Sequence, residues 1–194
     1  MSTVTWASVG GSKRPSLHRA PKGALAIARH YIRDVVYGAN DGLITTFAVV
    51  AGVTGGGLSP RTMLIIGAAN LFADGLSMGV GNYLSIRSNE SALAAENRPE
   101  EEANPARHGL ATLVAFVVAG AVPLAPFALG FASHGLSWSI GLTFATLFSV
   151  GALRALVTVD RWWVAGLEML LLGVAVAAAA FGSGSIVARF VMTG

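Results

Sequence analysis

Asp41, Asp74 and Met78 are the residues of this chain whose chemistry fits worst with their surroundings. Asp41 lies in Tyr37-Gly-Ala-Asn-Asp-Gly-Leu43, and the other two lie in Asn70-Leu-Phe-Ala-Asp-Gly-Leu-Ser-Met-Gly79, within long apolar runs. Two carboxylates supply charge for a divalent cation, and Asn70, Ser77 and Asn82 add neutral oxygens. The Met78 thioether discriminates among cations. Hard Mg²⁺ or Ca²⁺ gains little from sulfur, whereas a borderline-soft transition metal gains more. Carboxylates also exchange protons, so a metal/proton antiport needs no further chemistry. Glu168 is another acid in an apolar run, with two competing readings. It is either a pathway carboxylate or the interfacial partner of Arg154 or Arg161.

Helical spacing sorts these residues onto faces. Asn70, Asp74, Ser77/Met78, Gly81/Asn82 and Ser85 share one face, as do Tyr37, Asp41, Thr45, Ala48 and Gly52. Two such polar-and-small stripes can approach closely, and Gly52/Gly56 and Gly75/Gly79 add small-xxx-small packing surfaces. Plain structural readings stand beside the functional one. Asp41 could be the N-cap of a helix beginning at Gly42, and Met78 could be core filler. The joint occurrence of two acids and a thioether on polar stripes favours a transport path. Acids at the bilayer centre cost about 2.5–3.5 kcal/mol each and mark pathways.

The elements that must hold these residues are membrane helices. The chain has 194 residues, 54% of them apolar and 12% charged, with a mean hydropathy of +0.64. A soluble domain carries about 25% charged residues. Charges crowd into 13–34, 87–107 and 154–161, leaving runs long enough for helices that need about 20 apolar residues to span. Five spans are expected, near 35–53, 62–86, 108–132, 138–159 and 162–191. Gly55-Gly56-Gly57 and Ser59-Pro60 close the first, Trp162-Trp163 sits at an interface, and Gly182-Ser183-Gly184 is a candidate bend or end. Residues 1–22 read as a disordered cytoplasmic tail, and 23–37 as a surface helix leading into the first span. Residues 23–194 form the transporter domain, with a short acidic cytoplasmic loop at 87–107.

With the N-terminus cytoplasmic, 11 of the 13 basic residues fall inside, and only Arg61 and Arg189 fall outside. The positive-inside rule then puts the C-terminus on the opposite side. The net charge of +3 reads as juxtamembrane Lys and Arg rather than a nucleic-acid surface. Without cysteine, disulfides, thiolate metal sites and thiol catalysis are excluded. No permanently bound cofactor is expected. Gly75-Leu-Ser-Met-Gly79 matches a serine-nucleophile pattern, but the strand-turn-helix elbow it requires is missing. No histidine among His18, His30, His108 and His134 lies clearly within a span, so no enzyme is expected. Glu90, Glu96, Glu100, Glu101 and Glu102 make the loop at 89–104 either a solvated acidic segment or a patch that gathers cations.

At Asn40-Asp-Gly-Leu-Ile-Thr-Thr-Phe-Ala-Val-Val-Ala-Gly52 and Ala73-Asp-Gly-Leu-Ser-Met-Gly-Val-Gly-Asn-Tyr-Leu-Ser85 the chain resembles the vacuolar iron transporter family. Weaker similarity continues through Leu147–Gly151 and Trp162–Leu170. The resemblance implies a five-helix homodimer whose pathway is lined by the first helices of both subunits. It implies export of cytosolic Fe²⁺, often also Mn²⁺, in exchange for protons, with the pathway Asp and Met falling on Asp41 and Met78. Two departures matter. Only about 20 residues stand where fuller members insert a Glu-rich cytoplasmic domain, as in short, nodulin-like members. Asn82 stands where many members have Glu. The expectation is therefore an all-α, multi-pass transporter of Fe²⁺ and/or Mn²⁺. A Mn²⁺-preferring exporter and a non-transporting scaffold are the alternatives. The Ala/Arg-rich composition and the lack of an organelle-targeting segment favour a bacterial plasma membrane.

Overall fold

The computed structural model describes residues 15–18, 21–131, 134–155 and 160–192. Among these residues six helices follow one another: α1 (Ala24–Gly55), α2 (Pro60–Ala95), α3 (Pro105–Gly120), α4 (Ala125–Ala128), α5 (Gly135–Arg154) and α6 (Trp162–Met192). Of these, α1, α2, α5 and α6 are long and apolar enough to cross a membrane, and α3 is a shorter apolar helix. This is the build of a multi-pass membrane protein. Most of the expected tail at 1–22 lies outside the described residues, as does 156–159 of the fourth expected span.

Two helices are longer than a bilayer requires. At 1.5 Å per residue the 32 residues of α1 and 36 of α2 reach about 48 and 54 Å, against a hydrocarbon core of about 30 Å. The start of α1, the end of α2 and their loops meet at one end of the bundle. The surface helix expected before the first span is thus continuous with it. The α1–α2 turn follows its residues. Gly57 takes the left-handed φ of +67° that closes α1, with Leu58 N donating to Val53 O at 3.0 Å. Ser59 Oγ accepts from Thr62 N at 3.2 Å and Pro60 opens α2.

The third expected span is not one helix. After Gly120 the chain turns through Pro123 into α4, because a proline supplies no N–H to continue the ladder. Ser139 Oγ of α5 donates to the Pro123 carbonyl at 2.7 Å, so the break leaves that acceptor satisfied. Gly182-Ser183-Gly184 does not end the last helix either, since α6 runs through it to Met192. Gly184 is there for proximity: a Cβ on it would strike the Gly52 carbonyl of α1.

α3 packs against both α1 and α2. Gly38 and Gly42 of α1 lie against the Thr112 and Phe116 carbonyls, leaving no room for a Cβ. Gly79 of α2 meets Gly109 in the same way, and Gly75 packs on Leu113, Phe116 and Val117. The small-residue surface of α2 therefore serves its contact with α3. The core gathers Leu43, Ala119, Leu147 and Met169 in one cluster and Phe47, Val50, Met63 and Leu124 in another. The Phe47 and Phe144 rings meet edge-on at 5.6 Å.

Candidate functional site

Asp41 lies 17 residues into α1, which removes the N-cap reading: its own amide belongs to the middle of a helix. It is half-buried, and Thr45 Oγ1 donates to its backbone carbonyl at 2.7 Å. Asp74 on α2 is close enough to interact with it electrostatically. Asn70 Nδ2 donates to Asp74 Oδ2 at 2.7 Å, holding that carboxylate along the axis of α2. Asn70, Asp74, Met78 and Asn82 form a half-buried row that borders the fully buried row of Gly67, Leu71, Gly75 and Gly79. Asp41 and Asp74 thus fall within electrostatic range of each other, with Met78 one turn along from Asp74. Ser77 is exposed and turned away from the α3 contact made by its flanking glycines.

Glu168 sits apart from this row. Its Oε2 accepts from Arg154 NH2 at 3.0 Å, its side chain is 58% exposed, and Asp160 shares the same guanidinium at 3.5 Å. The ion pair with Arg154 is present. The residue also borders a groove between α1 and α6, together with Arg33, Tyr37 and Asn40.

Asn82 opens onto a second polar centre, nearer the start of α1 and the end of α2. Its Nδ2 donates to Asp34 Oδ1 and to Thr112 Oγ1, both at 2.8 Å. Asp34 is 2% exposed, and its other oxygen accepts from His108 Nδ1 at 2.5 Å. One carboxylate thereby ties α1 to α2 and α3. Beyond it, His108 Nε2 lies 3.1 Å from Glu102 Oε2. His30 Nε2 is 3.3 Å from the same oxygen, and His18 Nδ1 is 3.3 Å from Glu102 Oε1.

The loop at 89–104 is built around these contacts. Glu90 is buried, and its Oε1 accepts the amides of Glu101 at 3.0 Å and Glu102 at 2.7 Å, which fixes the turn before α3. Ser16 bridges to Glu100, with Leu17 N donating to Glu100 O at 2.8 Å and Glu100 N to Pro15 O at 3.0 Å. Burial pushes the Glu102 carboxyl up. The Asn104 amide and the imidazoles of His108 and His18 beside it outweigh that and hold it below its ordinary value. A polar pocket of about 510 Å³ opens here, lined by Arg33, Ser85, Asn89, Glu90, Glu102 and His108.

Asp34 and this histidine set carry no weight in the reading of the sequence alone. Asp34 stands seven residues before Asp41, on the same side of α1 after two turns, and that spacing is the available signal. The meeting of His18, His30, His108 and Glu102 depends on tertiary structure, because they come from four segments.

The VIT family model matches residues 32–103 and 94–185. The chain is 44% identical to a vacuolar iron transporter of Toxoplasma gondii over 71 residues, covering 37% of this chain and 24% of that protein. It is 39% identical to vacuolar iron transporter 1 of Arabidopsis thaliana over 75 residues, covering 39% of this chain and 30% of that one. These matched stretches thus span about a quarter to a third of the curated relatives' length. With vacuolar iron transporter 1 of rice the similarity is longer and weaker, 23% over 209 positions, covering 78% of this chain and 83% of the rice protein. More positions align than this chain supplies, so the rice protein has segments without counterpart here. The family match alone takes in well over half of the sequence, on both sides of the loop at the polar mouth: the chain belongs to the VIT family.

Proposed function

We propose that this protein moves a divalent transition metal, Fe²⁺ and/or Mn²⁺, out of the cytoplasm in exchange for protons. In this reading five spans form, α3 and α4 together making the third, with the N-terminus cytoplasmic and the C-terminus opposite. The membrane is the bacterial plasma membrane. Two chains pair so that the α1 helices line one path. The observation that carries the reading is the pair Asp41 and Asp74, mid-helix on apolar elements, near each other and half-open. Half-open carboxylates at membrane depth call for a second chain, water or a cation to cover them. Relatives named as vacuolar iron transporters add support for iron as cargo.

In the proposed cycle the ion sheds part of its water on entering from the polar mouth and passes along the row Asn82, Met78, Asp74 to Asp41. Asp41 and Met78 hold it in transit. Asp74 is a second ligand or the proton carrier, and Asn70 and Ser77 line the route. When the metal leaves, the vacated carboxylates take protons from the far side and return them, so no charge is left uncompensated at depth.

Proteoliposomes carrying a metal-sensitive and a pH-sensitive dye test this. The wild type takes up Fe²⁺ with counterflow of protons, and Mn²⁺ competes. Asp41→Ala lowers both fluxes about 100-fold or more while the chain still folds and pairs. Unchanged flux in that variant would sink the site assignment, and a wild type that passes no ion would make the polar rows packing features of a scaffold.

A further inference from the structure

We propose a second divalent transition-metal site outside the membrane, formed by His18, His30 and Glu102, with His108 against the same carboxylate. Ligand atoms of the first three lie within 4.8 Å of one another. They come from the N-terminal segment, the first turns of α1 and the loop before α3, so an ion bound there ties three segments together. Of the loop's glutamates, Glu102 is the one that meets His18, His30 and His108 among the described contacts.

The contacts from Glu102 to the imidazoles have the lengths of coordination-shell edges. An ion about 2.1 Å from each imidazole nitrogen holds neighbouring donors about 3.0–3.4 Å apart at octahedral or tetrahedral edges. The separations here are 3.1 and 3.3 Å from Glu102 Oε2 to His108 Nε2 and His30 Nε2, and 3.3 Å from Oε1 to His18 Nδ1. The Nε2 atoms of His30 and His108 are buried and have no aligned hydrogen-bond partner, despite facing a carboxylate. For His108, 7% exposed, the reason is visible on its other side. Its Nδ1 faces Asp34, so in the neutral ring the proton sits on Nδ1 and an Nε2 lone pair points at an anionic oxygen. A cation between them resolves that repulsion. The carboxylate behind the imidazole is the usual support of a metal-ligating histidine.

The donor set selects the ion class. Several imidazoles with one carboxylate suit Mn²⁺, Fe²⁺, Co²⁺, Ni²⁺ or Zn²⁺, whereas Mg²⁺ and Ca²⁺ favour oxygen ligands throughout. The site does not depend on transport, because it requires only the folded mouth. If metal does move through the protein, this is where the ion first meets donors, one residue from the Asp34–Asn82 link to the transmembrane row.

The test is Co²⁺ titration of the purified full chain in detergent, read by visible d–d absorption, with Cu²⁺ electron paramagnetic resonance reporting coupled imidazole nitrogens. The wild type develops Co²⁺ bands that Mg²⁺ does not compete away, and shows nitrogen coupling. His18→Gln and His30→Gln each weaken that Co²⁺ binding tenfold or more and simplify the coupling, with helicity by circular dichroism unchanged. His18 lies outside every helix, so its variant separates ligand loss from folding. Asp41→Ala keeps the bands and the coupling, which distinguishes this site from the transmembrane one. Co²⁺ spectra in His18→Gln and His30→Gln identical to the wild type, or no nitrogen coupling in the wild type, would overturn the proposal. In that case the cluster is an ion-pair network of imidazolium and carboxylate.

Discussion

Asp34 and Asp41 are the same residue type on the same helix, seven positions apart, and the protein treats them in opposite ways. Asp34 is 2% exposed and has both oxygens occupied, one by Asn82 and one by His108. Asp41 is half-buried, and its carboxylate makes no hydrogen bond to a described side chain; its electrostatic neighbour is another acid, Asp74. A carboxylate whose lone pairs are filled by the protein can organise helices but has little left for an ion. One whose neighbours are another acid and open space is unstable alone and receptive to a cation. The contrast separates the residue that builds the mouth from the residue that can bind in the path.

The sharpest way to break that contrast is to remove each acid in turn. Deleting one partner of a buried, hydrogen-bonded charge pair costs about 3–5 kcal/mol. Asp34→Ala strands His108 and Asn82 together, so thermal unfolding in detergent drops steeply. Asp41→Ala removes a poorly compensated charge from the membrane and leaves stability within about 1 kcal/mol of the wild type, or above it, while transport is lost. Equal melting points for the two variants would show that the local hydrogen bonds do not divide their roles.

A smaller effect is expected one bond away. Asn82→Ala leaves Asp34 Oδ1 and Thr112 Oγ1 without the donor they share. Stranding such buried groups costs about 1–3 kcal/mol, measurable as a lower unfolding midpoint. Asn82→Glu goes further, placing a second carboxylate beside Asp34. That variant is less stable than Asn82→Ala in a chelator and gains more than the wild type from added Mn²⁺. Indifference to Mn²⁺ would show that position 82 lies out of an ion's reach.

The mouth also has a pH signature. Glu102 is held below its ordinary value of 4.5, so it binds protons less readily folded than unfolded. Its contribution is complete above about pH 4.5 and fades as pH falls through the depressed folded value. Acidification below that point releases the segment around Ser16 and Leu17 from the loop, which hydrogen exchange at the Leu17 and Glu100 amides detects. In Glu102→Gln the same amides exchange with no such acid transition.

The chain announces its helices and half of its polar plan. Long apolar runs, Gly55-Gly56-Gly57 and Ser59-Pro60 define where α1 ends and α2 begins, because caps and turns are local chemistry. Asp41, Asp74 and Met78 are conspicuous because apolar neighbours make them so. The third span is different: 108–132 is apolar throughout, and what divides it is Pro123 together with a Ser139 hydroxyl from another helix. Gly184 looks like a helix breaker until its neighbour is seen, since the gain from packing it on Gly52 comes from α1. Asp34 is inconspicuous for the opposite reason. It sits among Arg29, His30 and Arg33, where an acid looks like ordinary surface charge, and only its partners from α2 and α3 reveal that it is buried.

Glu168 sharpens the comparison from its weak end. It is an acid within an apolar helix, as Asp41 is, but it is 58% exposed and paired with an arginine that Asp160 also reaches. Exposed ion pairs contribute about 0–1 kcal/mol, because water solvates both partners nearly as well as they solvate each other. Glu168→Gln therefore moves the unfolding midpoint little, since Arg154 keeps Asp160 as a carboxylate neighbour. It also leaves metal flux within about twofold of the wild type, because no atom of the Asp41–Asp74 row depends on it. A large loss of flux with unchanged stability would instead join the groove between α1 and α6 to the path. Tyr37 and Asn40, which share that groove, would then be the next residues to substitute.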